Sequence, residues 1–180
     1  MTATARRQRT SVGDRGEAQT AVVLDALVDA STVVLHHLQA PGFGRGDLDH
    51  VVLRQTADGP AVIVIDSKCW SPGIYVQILG RTYRGLSRFT PAEHVTVTAA
   101  AQALADHLEP HGVRMLTPLV VVWPSRPGRI TSLGLRLGDG TPWCRGEHLA
   151  IRLRRVLPAG SGAPPDPRLV AAVTALRRGA

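Results

Sequence analysis

Lysine is almost absent from this chain. Of the 21 lysine and arginine residues among 180, only Lys68 is a lysine. Wherever a positive charge merely has to face water the sequence writes arginine, so the one lysine marks a position with a different requirement. Cysteine is nearly as scarce. Cys69 and Cys144 are too few and too isolated for a disulfide framework or a thiolate zinc site. Nowhere do apolar residues approach the roughly 18 in a row that cross a bilayer. The basic N-terminus, MTATARRQRTS, has no apolar core behind it and does not read as a secretory signal. The expectation is a soluble cytoplasmic protein with no membrane partner. No internal repeat is visible.

What is present describes one globular domain: 44% hydrophobic residues in clear runs, in a chain long enough to bury most of them. The formal charge of +7 comes almost wholly from arginine, whose planar fork suits phosphate. A polyanionic partner fits that charge; so does a coding bias toward alanine and arginine, and charge alone does not choose.

Apolar spacing divides the chain. Residues 1–13 are polar, arginine-rich and expected to be disordered. From Asp14 to about Ala30, GEAQTAVVLDALVDA has apolar residues at helical spacing. Three apolar stretches follow at 33–38, 49–55 and 61–68. Asp58-Gly59 between the last two predicts an antiparallel hairpin. A fourth strand is expected over 73–80, then an irregular basic segment, GRTYRGLSRFTP. A helix is predicted from Ala92 or Val97 to Leu108, stopped by Pro110 and Gly112. After it come a buried strand at 118–123, a short strand pair around 130–144 and a helical GEHLAIRLRRVL. These complete an α/β domain over 14–157, in which a mixed central sheet is flanked by helices. Residues 158–167, PAGSGAPPDP, read as a flexible linker before a short helix over 168–180.

The stretch VIVIDSKCW ends a buried run in two opposite charges, Asp66 and Lys68, which share a strand face because side chains alternate. A hairpin turn centred on Asp58-Gly59 sets residue 49 opposite 68, and a four-residue loop over 56–59 sets it opposite 66. Either way Asp49 joins them at the open end. Asp47 is the nearest competitor for its role. Two carboxylates with the Ser67 carbonyl would supply part of the oxygen shell of Mg²⁺, or of Mn²⁺ in its place. Lys68 is a compact donor that could orient a metal-acidified water or stabilise charge on a reacting phosphate. A solvated ion pair at a strand end would explain Asp66 and Lys68 alone, without Asp49.

The segments GEAQTAVVLDAL, GDLDHVV and VIVIDSKCWSPGIYV, with the helix AAAQALADHL, together resemble the nuclease-related (NERD) domain, a branch of the PD-(D/E)xK phosphodiesterase superfamily. The resemblance covers roughly residues 15–123. It implies a restriction-endonuclease-like core, Asp49 and Asp66 as metal ligands and Lys68 as the catalytic lysine. It also implies that Glu17 reaches the site from the first helix as an acidic, metal-side residue, and that Gln102 faces the site from the second. The function it implies is that of a metal-dependent nuclease, with endonuclease action the expectation, cleaving phosphodiester bonds in nucleic acid, with DNA the expected substrate. Cutting both strands of a duplex would ask for a homodimer or a partner protein. The rival is a non-catalytic nucleic-acid-binding or scaffolding module on the same fold. The acid at 66 is Asp where many relatives carry Glu, an allowed variant of the pattern, and the resemblance does not extend to residues beyond 125.

Plainer readings stand beside these. With Asp14 as N-cap, Glu17 fits a capping box. Arg81, Arg84 and Arg88 with Tyr83 interleaved form the pattern of a phosphate-tracking loop, and an ordinary solvated loop has the same composition. Trp70 is close enough to the site to stack a base, though a packing role is the commoner one. Arg152, Arg154 and Arg155 read as the wet face of a helix. The seven histidines are assigned to no metal, and His50 points to the strand face opposite Asp49.

Overall fold

The computed structural model describes residues 3–42, 47–89, 94–137 and 140–177. Its elements in chain order are α1 (Ala3–Asp25), β1 (Thr32–Gln39), β2 (Asp47–Thr56), β3 (Gly59–Trp70), β4 (Gly73–Ile78), β5 (Arg81–Arg84) and β6 (Ser87–Arg88). Then come α2 (His94–Leu108), β7 (Arg114–Met115), β8 (Leu119–Pro124), β9 (Ile130–Leu133), β10 (Trp143–Arg145), α3 (Leu149–Val156) and α4 (Pro167–Thr174). The helix start at Ala92, the last two residues of the basic segment and the chain tips at 1–2 and 178–180 lie outside the described residues. No described helix is long and apolar enough to cross a membrane.

The main sheet runs β1-β2-β3-β8-β10, with β7 also on β3; β1, β2 and β3 are antiparallel neighbours, while β8 is parallel to β3 and β10 to β8. β3 is buried on both faces, which is why it reads as a continuous apolar run. One face carries Val62 and Val64 with Val51, Leu53, Val120 and Val122 against Ala100, Leu104 and Leu108 of α2. The other carries Ile63 and Ile65 with Leu119 and Val121 against Leu24 of α1 and Leu149 and Leu153 of α3. Asp66 thus interrupts the apolar series on the α2 face. The architecture is the expected mixed sheet between helices.

The hairpin closes one residue earlier than Asp58-Gly59 implies. Thr56 pairs with Gly59, leaving Ala57 and Asp58 as the turn. Thr56 Oγ1 accepts from the Asp58 N–H at 3.2 Å and donates to the Gly59 carbonyl at 2.7 Å. Gly59, at φ 111°, takes a backbone angle that side chains resist. A threonine side chain therefore sets this turn, and the register is the one that places 49 against 66.

Other expectations shift more. The strands near 130 and 144 do not pair with each other: β9 joins a second sheet, β6-β5-β4-β9, parallel to β4, and β10 extends the main sheet. The basic segment is the β5–β6 hairpin of that second sheet rather than an irregular loop. Its backbone bonds go to β4. α1 continues N-terminally past Asp14. The segment expected as a linker is strapped onto the β1–β2 edge: the Gly162 N–H donates to Ser31 Oγ at 2.8 Å and the Ser161 N–H to the Gln55 carbonyl at 2.9 Å. It leads into α4, whose Leu169 and Val173 are buried in the α2-side core.

Candidate active site

The paired ladder of β2 and β3 ends at His50 opposite Ile65. One further step along that register sets Asp49 opposite Asp66. There the strands stop exchanging backbone bonds. The Ser67 N–H donates instead to Asp49 Oδ2 at 2.7 Å. A residue's N–H and C=O point to the same side of a strand, so the Ser67 carbonyl is directed toward the Asp49 edge as well. Two residues along β3 from Asp66, Lys68 Nζ lies 2.9 Å from Asp66 Oδ1. The two side chains are only 26% and 14% exposed, which separates them from a fully solvated ion pair. Asp49, Asp66 and Lys68 are therefore brought together on the α2 face at one end of the sheet.

Electrostatics mark the same place. Burial first, then the neighbouring Asp66, push the Asp49 carboxyl up to about 7; the Ser67 N–H and Lys68 pull it down by less. Holding two carboxylates here is unfavourable without more positive charge than one ammonium brings. A hard divalent cation fits that deficit, because the donors are all oxygen: Asp49, Asp66 and the Ser67 carbonyl. Among the described residues no group of three or more His, Cys, Asp and Glu side chains is gathered closely enough to hold a metal. Such a two-carboxylate set suits Mg²⁺, which keeps several waters, better than it suits a metal wanting a closed protein cage.

Glu17 approaches Asp49 from α1, and its charge adds to the rise of that carboxyl. Its Oε2 is 3.3 Å from His37 Nδ1, and with Asp14, Asp47 and Asp49 it lines a cleft of about 440 Å³. Since α1 runs through Asp14 without a break, Glu17 is not a capping-box residue. Asp47 shares the cleft at the exposed start of β2 but pairs with Gln39, while Asp49 is the one that holds Ser67. Gln102 is exposed on α2 and its amide donates to Asp106 Oδ1 at 2.8 Å. Trp70 is 9% exposed and packs with the rings of Phe89, Tyr75 and Trp143 at centroid distances of 5.0, 5.2 and 5.7 Å. That placement is a core residue's. Arg81, Arg84 and Arg88 are exposed on the β5–β6 hairpin with Tyr83 half-buried, and Arg84 is close enough to the Tyr75 hydroxyl to oppose the rise that burial gives it.

Sequence reasoning missed what lies behind β3. Ser67 Oγ donates to Thr20 Oγ1 of α1 at 2.8 Å and lies 3.0 Å from His50 Nε2; His50 Nδ1 meets His36 Nδ1 at 2.7 Å, and His36 Nε2 meets Asp25 Oδ1 at 3.1 Å. Trp123 Nε1 donates to the same Thr20 hydroxyl at 2.8 Å. Burial, then His36 and His37, push the His50 imidazole down to about 3, so it is neutral. The β1–β2 register places His36 opposite His50, and only that register reveals the pair. Ser67 is thus held from both sides, by Asp49 through its N–H and by His50 and Thr20 through its hydroxyl.

A family model described as nuclease-related domain matches residues 12–124. The matched stretch contains Glu17, Asp49, Asp66, Lys68 and Gln102 and runs from α1 to the end of β8. Among curated proteins and solved structures, nothing matches the chain.

Proposed function

Because the chain belongs to the nuclease-related domain family, we propose that it is a metal-dependent nuclease that hydrolyses phosphodiester bonds in DNA. The observation that carries this reading is the meeting of Asp49 and Asp66 on one face at the end of β3, with Lys68 held beside Asp66. Asp49, Asp66 and the Ser67 carbonyl would hold Mg²⁺ or Mn²⁺. Bound there, the ion supplies Lewis acidity toward a phosphate oxygen and makes a water more acidic. The chain's own groups do the rest. The Ser67 N–H fixes one Asp49 oxygen and so aims the carboxylate. Asp66 keeps the Lys68 ammonium at the site, where it can orient a water or donate to an oxygen that gains charge on the phosphorus. An arginine, with its broad and permanently charged fork, would do neither as well.

Asp66→Ala and Lys68→Ala should each abolish cleavage while the protein stays folded; cutting that survives both changes contradicts the proposal. A second reading, a nucleic-acid-binding module without catalysis, draws on the tie between Glu17 and His37 and on a donor set limited to two carboxylates. Such a module would bind DNA equally well with chelator, losing affinity steeply as salt rises.

A further inference from the structure

A second cleft opens at the outer edge of β10, away from the carboxylates. Its volume is about 580 Å³, and its walls include Thr131 and Ser132 of β9, Arg145 of β10, His148, and Arg152 and Arg155 of α3. Among the described residues no aspartate or glutamate lines it. Cys144 in the wall adds no negative charge, since burial pushes its thiol up to about 11 against the opposing pull of Arg152. Of the three guanidinium groups around the hollow, Arg145 already has Glu147 as a partner, so the excess positive charge comes from Arg152 and Arg155, whose repulsion an anion between them would relieve. Two of the three carry further signs. Arg152 Nε is buried and finds no acceptor among the described residues, which is costly for a charged donor. Arg145 is fixed in place: Nη1 donates to the Ile130 carbonyl at 3.1 Å and lies 3.3 Å from Glu147 Oε1, and Nη2 is 3.2 Å from His148 Nε2.

The cleft wraps round the free edge of β10: Arg145 stands on the α2 face of the sheet, while Arg152 and Arg155 come from α3 on the other face. β10 pairs with β8 and β8 with β3 so that Arg145, Val122 and Lys68 stand in register. In-register residues of parallel strands share a face, so Arg145 and Lys68 rise from the same face two strand spacings apart, about 10 Å, with the buried Val122 between them.

We infer that this cleft is an anion site for the sugar–phosphate backbone of the nucleic-acid substrate, a holding site separate from the carboxylates. The inference rests on the nuclease reading, and its residues all lie beyond the stretch that matches the family. The test is binding without cleavage. The full chain, in chelator, is titrated by fluorescence anisotropy against a short fluorescein-labelled single strand and its duplex, across a salt series. Variants are the Arg152→Gln/Arg155→Gln double change and Arg155→Glu, the latter at an exposed position, each checked for an unchanged unfolding curve.

Both variants should bind at least tenfold more weakly, and for the single strand the double change should flatten the salt slope by about 1.4, two lost phosphate contacts. Wild-type affinity and slope in both variants would overturn the cleft assignment and leave the nuclease reading standing. Failure of the unaltered protein to bind either oligonucleotide at low salt would overturn the nucleic-acid reading beneath it. Inorganic pyrophosphate that raises the unfolding temperature of the unaltered protein and not of Arg155→Glu, with no oligonucleotide binding, would assign the cleft to a small phosphate compound instead.

Discussion

The Ser67 N–H donates to Asp49 Oδ2 at 2.7 Å, across the gap where β2 and β3 stop exchanging backbone bonds. A side chain thus takes over from the ladder at the point where a carboxylate is wanted. Because Ser67 sits between Asp66 and Lys68, the same contact ties Asp49 to the strand that carries both. On the opposite face the Ser67 hydroxyl is anchored by Thr20 and His50.

Asp49 and His50 should give opposite pH dependences of stability in the metal-free protein. Asp49 is raised to about 7, so its contribution is fullest below its ordinary value near 4 and is lost as pH rises toward 7. His50 is lowered to about 3, so its contribution is present above its ordinary value near 6.5 and is lost as pH falls. Between pH 4 and 6.5 the two slopes oppose, each up to about 1.4 kcal/mol per pH unit. Relative to the unaltered protein, Asp49→Asn should lose stability on acidification and His50→Gln should gain it. Urea unfolding across that range, with chelator, reads the difference; parallel curves would contradict the assignment.

Divalent metal should stabilise the protein through the carboxylate pair. At about ten times its dissociation constant an ion adds about 1.4 kcal/mol. The unfolding temperature should rise with Mg²⁺ or Mn²⁺ in the unaltered protein and not in Asp49→Asn or Asp66→Asn. An equal rise in all three would place the ion elsewhere.

Gly146 should tolerate no side chain. A Cβ there would stand 2.2 Å from Trp123 Cε2 and within 2.4 Å of two more atoms of that ring. The indole is itself held by its bond to Thr20, so it cannot simply swing away. Gly146→Ala should cost about 1–3 kcal/mol, read as a lower midpoint in urea, and an unchanged midpoint would show that the ring can move.

Much of the site is legible in the sequence, because period-two alternation and one hairpin are enough to bring Asp49, Asp66 and Lys68 together. The turn itself lies one residue away from where Asp58-Gly59 would centre it, since the Thr56 side chain closes it. Of the residues that the resemblance alone suggests, Glu17 contacts His37 while lining the cleft with Asp49, and Gln102 donates to Asp106. The contact of His36 with His50 depends on how β1 meets β2, which the intervening segment does not encode in any simple spacing. The arginine-lined cleft depends on β9 and β10 parting into different sheets. Arg152 and Arg155 show helical spacing in either case, and only the fold distinguishes a wet face from a wall.

The central claim is tested most directly by incubating the purified protein and Lys68→Ala with supercoiled plasmid, linear duplex, single-stranded DNA and RNA, each with Mg²⁺, Mn²⁺ or chelator. Cleavage of DNA that needs the metal and disappears in Lys68→Ala, with the variant's unfolding curve unchanged, is the result expected. Cleavage that persists in chelator or in the variant, or DNA bound without being cut under every condition, would contradict it.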